Sequence, residues 1–245
     1  MFKLFSIFTF FIVIIIGMPK KKGDLKKRKN KSRRKRGGAV MLNKTPKLIH
    51  NDCIHKNSEA ESNDAVMSPL SGYESKYQPH LWNDDGEIQR THNCYAYSLS
   101  KRTGKMSSKA QPGYFANYPP LSDADYNCAS LYDRMKKDNP SIRPTKFGKR
   151  CGKGTYKIFL AYDPKESDHD YHYWRQDSNG MWSHKPGATP VTNKDASGKH
   201  ISNPMKADRN YKHFQYSEPC GFYCVNPKIA RTYSRSIKRK WYDLT

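Results

Sequence analysis

Cysteine is sparse in this sequence, with six residues in a chain of 245. No two of them form a CxxC pair, so the ligand spacing of a typical zinc site is missing, although His50 and His55 flank Cys53. Six cysteines in a chain this long also do not indicate a disulfide framework. The sequence therefore predicts neither a bound metal nor a cofactor.

Acidic side chains are also scarce, with 22 Asp and Glu against 45 Lys and Arg and a formal net charge of +23. Twelve of the basic residues lie in one block that begins at Lys20 and ends at Arg36, where Asp24 is the single acid. This composition predicts a disordered polycation that contacts nucleic acid or an anionic membrane. Such a block attracts phosphate groups but cannot read bases. The alternative is a solvated linker.

Long apolar runs are confined to the start of the chain, where residues 2–17 are almost wholly hydrophobic. This run is short for a membrane span and lacks the small-x-small pattern of a signal-peptide cleavage site. If it inserts, the polybasic block should keep the rest of the protein on the cytosolic side of a membrane, with mostly reduced thiols. If translation starts at Met18, the run is absent and a nuclear location becomes an alternative. Secretion is disfavoured.

Internal repeats of useful length are absent, so composition divides the chain. We distinguish an apolar segment at 1–17, a polybasic segment at 18–38, a polar linker at 39–64 and one folded domain at 65–245. Within the domain, helix signals precede strand signals, which predicts an α+β fold with N-terminal helices packed on an antiparallel sheet. The capping box at 122–125 predicts the start of a helix that runs to Asn139, and strands are predicted at 155–162 and 220–225.

A helix that starts at a cysteine is predicted at 93–99, with Asn93 as its N-cap. Cys94 lies in the first turn, where backbone N–H groups point outward and the helix dipole is positive. This environment favours thiolate over thiol, and the same N–H groups could hold an oxyanion. The alternative is a small buried residue on an amphipathic helix, which is common for a free cysteine.

Two histidines flank a predicted β-hairpin. Residues 177–180, Asp-Ser-Asn-Gly, form a typical hairpin-turn sequence between two aromatic-rich runs. His172 and His184 lie symmetrically about Ser178, so we expect neighbouring imidazoles across the ladder, on one face of the sheet. They could supply the base and the orienting group that a Cys94 nucleophile needs. The alternative is that they only stack and hydrogen-bond as structural residues.

A helix-starting cysteine, a Pro-Gly turn, a histidine strand and a second histidine twelve residues later resemble the NlpC and CHAP groups of papain-like cysteine peptidases. This resemblance implies a papain-like fold in which Cys94 is the nucleophile, His172 the general base and His184 the residue that orients it. Residues 111–113 would match the Pro-Gly turn that leads into the sheet. The implied activity is a thiol peptidase, amidase or acyltransferase that acts on an amide or an ester.

Several alternatives stay open within that assignment. His169 competes with His172 for the role of base. Asp195 and Asn203 are alternatives to His184 as the third member of the site. Tyr95 is bulky where the relatives often carry a small residue directly after the nucleophile.

A second resemblance is closer and covers roughly residues 73–225. The blocks at 93–97, 172–177 and 182–187 are similar to an uncharacterised group of proteins from bacteria and large DNA viruses, and that group brings no activity with it. It adds a virion to the expected locations. The corresponding alternative function is a catalytically inactive virion or structural protein whose basic tail binds nucleic acid.

Overall fold

The protein is described by a computed structural model that covers residues 67–102, 109–165 and 169–233. The segments predicted at 1–17, 18–38 and 39–64 lie outside these ranges, so the structure does not address the anchor, the polycation or the linker. Across the ranges that it does cover, no helix combines the length and the apolarity that crossing a membrane requires.

Short helices occupy the first half of the described chain. Their bounds are α1 His80–Asn83, α2 Gly86–Thr91, α3 Cys94–Ser98 and α4 Cys128–Asp138, with a single 3-10 turn at Asp123–Asp125. Side chains cap three of them, because Asp85, Asn93 and Asn127 each accept a backbone N–H from the first turn of the following helix. The capped start of α3 confirms the predicted helix that begins at Cys94.

The capping box at 122–125 forms, but it does not open a long helix as predicted. The Ser122 side chain accepts the backbone N–H of Asp125, and the Asp125 side chain accepts the backbone N–H of Ser122. These two bonds close only the 3-10 turn. The chain then breaks at Tyr126, where φ is −80° and ψ is 66°, and α4 starts afresh with Asn127 as its N-cap. The helix therefore begins at Cys128, and it ends at Asp138, directly before the Asn139-Pro140 stop.

A five-stranded sheet follows the helices in sequence. Its strands are β1 Arg143–Thr145, β2 Tyr156–Asp163, β3 Asp170–Gln176, β4 Trp182–His184 and β5 Glu218–Val225. The order across the sheet is β1-β5-β2-β3-β4, and each neighbouring pair is antiparallel. Helices first and an antiparallel sheet second confirm the predicted α+β fold.

The two faces of the sheet pack against different parts of the chain. The helix-side cluster joins α3 and α4 to one face and includes Cys94, Leu131, Leu160, Tyr171 and Tyr173. The far-side cluster joins the opposite face to the loops around 201–216 and includes Phe159, Trp174, Trp182, Tyr216 and Phe222. Since successive strand residues point to opposite faces, the alternation along β2 and β3 produces both cores.

Two disulfides cross-link β5, which corrects the expectation of mostly reduced thiols. Cys128 in α4 is bonded to Cys220, and Cys151 in the loop before β2 is bonded to Cys224. Cys220 and Cys224, four positions apart on β5, do not bond each other. The expectation failed because it rested on the charge of the N-terminal segment, whereas the pairing depends on residues 73 and 92 positions apart.

Candidate functional site

The predicted histidine pair is present at the start of β3 and the end of β4. His172 Nε2 lies 2.8 Å from His184 Nδ1, and both side chains are buried. The pairing register differs slightly from the predicted symmetry, because His184 lies directly opposite Trp174 instead of His172. The two histidines are therefore diagonal neighbours. They still share one face, as predicted, since His172 and Trp174 are two positions apart on β3.

A backbone carbonyl determines the protonation pattern of this pair. Lys194 O lies 2.9 Å from His184 Nε2, and a carbonyl only accepts, so Nε2 must carry the proton. Burial lowers the pKa of His184 to about 4, so its ring is neutral near pH 7 and its Nδ1 accepts. His172 Nε2 then donates to that Nδ1. Burial, together with the neighbouring His184, also lowers the pKa of His172 well below its usual range.

The consequence is a His172 ring with a defined free lone pair. Its Nε2 carries the proton that is donated in the hydrogen bond to His184. In the neutral ring, Nδ1 is therefore the unprotonated nitrogen. Neighbouring rings hold its plane: Tyr216 stacks on it at a centroid distance of 5.0 Å, and Trp174 meets it edge-on at 4.5 Å. Tyr216 is in turn anchored by its hydroxyl, which donates to Asp170 at 2.7 Å. The arrangement presents an oriented base.

The two alternatives for the third member of the site bind other groups, although the charge of Asp195 acts on His184. Asp195 accepts backbone N–H groups of its own turn, and Asn203 accepts the N–H of Met205. His169, the alternative base, lines the same cavity as Cys94 and His172, stacks on Tyr126 at 5.2 Å and has a buried Nδ1 without a hydrogen-bond partner, but it does not contact His184 as His172 does. The structure thus brings His184, and not Asp195 or Asn203, against the His172 ring.

Cys94 occupies the first turn of α3, as predicted, but its environment does not favour the thiolate. The side chain is buried at 5% exposure, and Sγ donates to Tyr171 O at 3.8 Å. Burial, reinforced by the nearby Asp170 carboxylate, raises the pKa of the Cys94 thiol to about 12. Backbone N–H groups oppose this rise without overcoming it. The helix α3 has only five residues, so desolvation exceeds the effect of its dipole.

Cys94 and His172 reach one cavity from opposite faces of the sheet. Cys94 packs in the helix-side cluster, whereas His172 contacts the rings of the far-side cluster. Beyond the short β4, however, β3 has an open edge, and both residues line a cavity of about 690 Å³ there. Its other walls include lysines, tyrosines and the loop that follows His184: Lys109, Gln111, Tyr126, Asp170, residues 186–189, Tyr211, Lys212 and Phe214.

Two buried cations, one on β3 and one directly after β4, were not assigned a role from sequence. Arg175 pairs with Asp177 at 2.8 Å and donates to Tyr97 Oη at 2.8 Å, so it is a structural hydrogen-bond donor. Lys185 is fully buried and donates to three backbone carbonyls. No local pattern distinguishes this lysine from the many exposed ones in the chain. Within the described residues, no group of side chains has the arrangement of a metal site.

Comparison with known proteins identifies the family of this chain. The chain is 35% identical over 156 residues to insoluble matrix shell protein 1 of Ruditapes philippinarum, and the alignment covers 63% of this chain and 92% of that protein. The chain belongs to the insoluble matrix shell protein 1 family. The name of this relative refers to a shell matrix and does not mention catalysis.

No family model matches the sequence. No solved structure matches it either.

Proposed function

We propose that this protein is a thiol hydrolase or acyltransferase of papain-like descent, with Cys94 as nucleophile, His172 as base and His184 as orienting residue. The observation that carries the proposal is the ordered chain of contacts from Lys194 O through His184 to His172. It leaves His172 Nδ1 unprotonated beside a cavity that also contains the Cys94 side chain.

The resting pair in this mechanism is a neutral thiol and a neutral imidazole. When a substrate carbonyl enters the cavity, the Cys94 proton passes to His172 Nδ1 as Sγ attacks the carbonyl carbon. The resulting imidazolium returns the proton to the leaving amine or alcohol. Water then resolves the acyl-enzyme in hydrolysis, whereas a second nucleophile resolves it in acyl transfer.

The mechanism requires a movement of the Cys94 side chain. Sγ has to leave the Tyr171 carbonyl and approach His172, because its present hydrogen bond is directed to the backbone of β3. Catalytic contacts are often loose before the substrate binds.

Alkylation of Cys94 tests the proposed function. The rate with iodoacetamide at neutral pH, followed by mass spectrometry of the Cys94 peptide, should fall about tenfold or more in His172→Ala, since general bases typically contribute a hundredfold or more. His200→Ala is the matched control, because the His200 side chain is exposed and hydrogen-bonds to neither histidine of the pair. If His172→Ala reacts at the rate of the unmodified protein, His172 is not the base.

A second candidate function is a structural component of an insoluble extracellular matrix. It is favoured by the shell matrix relative and by two disulfides, which form and persist in oxidising compartments. The location proposed with it is outside the cytosol, in place of the cytosolic face of a membrane. Fractionation of the native protein separates these locations, because a matrix protein remains in the insoluble extracellular fraction.

The basic block has a proposed partner that does not depend on either candidate function. We propose that residues 20–36 hold a polyanion, either nucleic acid or an anionic lipid surface, because they carry twelve positive charges against one negative. Deletion of 20–36 should abolish salt-sensitive retention on DNA and on anionic vesicles. Retention that survives the deletion would place the contact elsewhere in the chain.

A further inference from the structure

The segment that connects β1 to β2 carries a dense positive charge. Residues 143–157 contain six Lys and Arg side chains and no Asp or Glu. Four of the six lie in the Cys151 loop (residues 146–153): Lys146, Lys149, Arg150 and Lys153. The last three are exposed, and neither ion pair of the described residues involves any of the four. Like charges this close repel one another, so a bound polyanion would relieve the repulsion.

The Cys151 loop is held against the far side of the sheet. Cys151 is bonded to Cys224 of β5, and the Phe147 ring is buried in the far-side cluster. The Phe147 carbonyl accepts hydrogen bonds from Ser68 Oγ at 2.9 Å and from Lys157 Nζ at 2.6 Å. A covalent bond, a buried ring and two buried polar contacts therefore hold the loop in place before any ligand binds.

Two tight turns keep the cations of the loop close together. Lys149 N donates to Lys146 O at 3.1 Å, and Thr155 N donates to Gly152 O at 3.1 Å, so the chain bends instead of extending. Arg143 of β1 pairs with the β5 residue to which the loop is bonded, and this adds an exposed cation on the same face of the sheet. The result is a compact basic surface at the β1 edge, whereas the Cys94 cavity lies at the other edge.

The shape of this surface favours one kind of polyanion. Phe147 is the one aromatic residue of the loop and is buried, so nucleic-acid bases have no ring to stack on. A DNA duplex is stiff, with a persistence length of about 50 nm, and it can touch a compact loop at only a few phosphates. A flexible charged chain can wrap the loop and contact each cation. The two disulfides also favour an oxidising compartment, where the abundant chains of this kind are polysaccharides.

We propose that the Cys151 loop is a binding surface for an anionic polysaccharide, a flexible chain whose sulfate or carboxylate groups pair with the cations of the loop. The surface is separate from the Cys94 cavity and from the polybasic block at 20–36, so this inference does not rest on the proposed enzymatic function. Binding is charge pairing, in which no covalent bond forms or breaks. It gives the folded domain an attachment to a matrix polymer.

The affinity of the full chain for heparin, measured at a series of salt concentrations, tests this proposal. The triple variant Lys149→Gln/Arg150→Gln/Lys153→Gln should lower the slope of log affinity against log salt by about two to three, because each lost charge contact removes about one. The polybasic block is the same in both proteins. Repeating the comparison after deletion of 20–36 removes that competing site.

The matched control removes three exposed lysines outside the loop. Lys76→Gln/Lys137→Gln/Lys206→Gln lowers the net charge by the same amount, and all three positions are exposed. Its salt slope should change by less than about one, because these lysines are not expected to contact the polysaccharide. If the triple variant and this control bind heparin alike, the Cys151 loop is not a binding surface.

Removal of the disulfide tests the contribution of the fixed shape. Cys151→Ser/Cys224→Ser keeps every charge of the loop but releases it from β5. Its affinity for heparin should fall about tenfold, because a loosened loop has to be ordered again on binding. A folded variant with unchanged affinity would contradict the role of the fixed shape. If the variant does not fold, the triple variant and its control decide.

A short DNA duplex in place of heparin separates a polysaccharide from nucleic acid. The triple variant should change the salt slope for the duplex by less than about one, since the stiff duplex meets few of the cations. A change as large as that with heparin would overturn the polysaccharide and make the loop a nucleic-acid surface. His172→Ala should bind heparin like the unmodified protein, so a failure of the enzymatic proposal leaves this result unaffected.

Discussion

The two halves of the sheet are held together by different chemistry. In one half, β5 is bonded to α4 through Cys220 and to the loop before β2 through Cys224. In the other half, β3 and β4 carry no disulfide within the described residues and are joined by buried polar contacts, including the His172–His184 pair. The comparison teaches that the framework of this protein is covalently cross-linked, whereas its candidate site depends on protonation states.

This difference follows from what each kind of contact opposes. A disulfide chiefly restricts the unfolded chain, and its effect does not depend on moderate changes of pH. A buried imidazole pair stabilises the fold only while both rings are neutral, because charging either one in a dry environment is unfavourable. Three experiments can therefore probe the halves separately.

The largest expected effect belongs to the disulfide half. The double variant Cys128→Ser/Cys220→Ser should lose about 3.5 kcal/mol of the free energy of unfolding, because the remaining Cys151–Cys224 bond shortens the loop that this cross-link closes to roughly 30 residues. The Cys128–Cys220 bond spans 92 residues. Urea denaturation of the purified variant measures this loss.

Cys94→Ser is the control for that experiment, because it removes the one free cysteine among the described residues and no cross-link. We expect its free energy of unfolding to change by no more than about 1 kcal/mol, since the replacement is nearly isosteric. A double variant that unfolds at the same urea concentration as this control would show that the cross-link does not stabilise the framework.

A fall in pH should destabilise the half of the sheet that contains the His172–His184 pair. The pKa of His184 is about 4 in the folded protein and 6.5 in the reference state, so below pH 6.5 the unfolded chain binds a proton that the folded chain does not. Stability is therefore complete above pH 6.5 and decreases as the pH falls toward 4. A shift of this size corresponds to a loss of up to about 3 kcal/mol.

Urea denaturation at a series of pH values tests this expectation, with His184→Asn compared with the exposed-site variant His200→Asn. His184→Asn should be less stable at neutral pH but should show a flatter dependence on pH between 6.5 and 4. His200→Asn should keep the pH dependence of the unmodified protein. Equal slopes in all three proteins would mean that the histidine pair does not titrate with folding.

The smallest expected effect compares one helix cap in each half. Asn93 caps α3 and also donates to Ala110 O at 2.6 Å, whereas Asn127 caps α4 and donates to Ala124 O at 2.7 Å. Asn93→Ala and Asn127→Ala should each cost about 1 kcal/mol of stability. Only Asn93→Ala should also change the alkylation rate of Cys94, because only that cap positions the nucleophile.

Local signals in the sequence were sufficient for the elements that carry the site. The Asn93 cap places Cys94 at the start of a helix, and the turn at 177–180 joins two strands that bring His172 and His184 together. Each of these features depends on residues a few positions apart, whose propensities and alternation act without the rest of the chain. The α+β class followed for the same reason from the order of helix and strand signals.

Tertiary structure alone decided the chemical state of those residues. Burial makes Cys94 a thiol, although the start of a helix favours the thiolate, and the degree of burial depends on strands far along the chain. The disulfide partners and the three carbonyls around Lys185 likewise come from separate elements. The sequence by itself therefore determined which residues lie at the ends of the helices and strands. The packing of those elements determined the solvation and the bonding partners of these residues, because desolvation and pairing are properties of the assembled core.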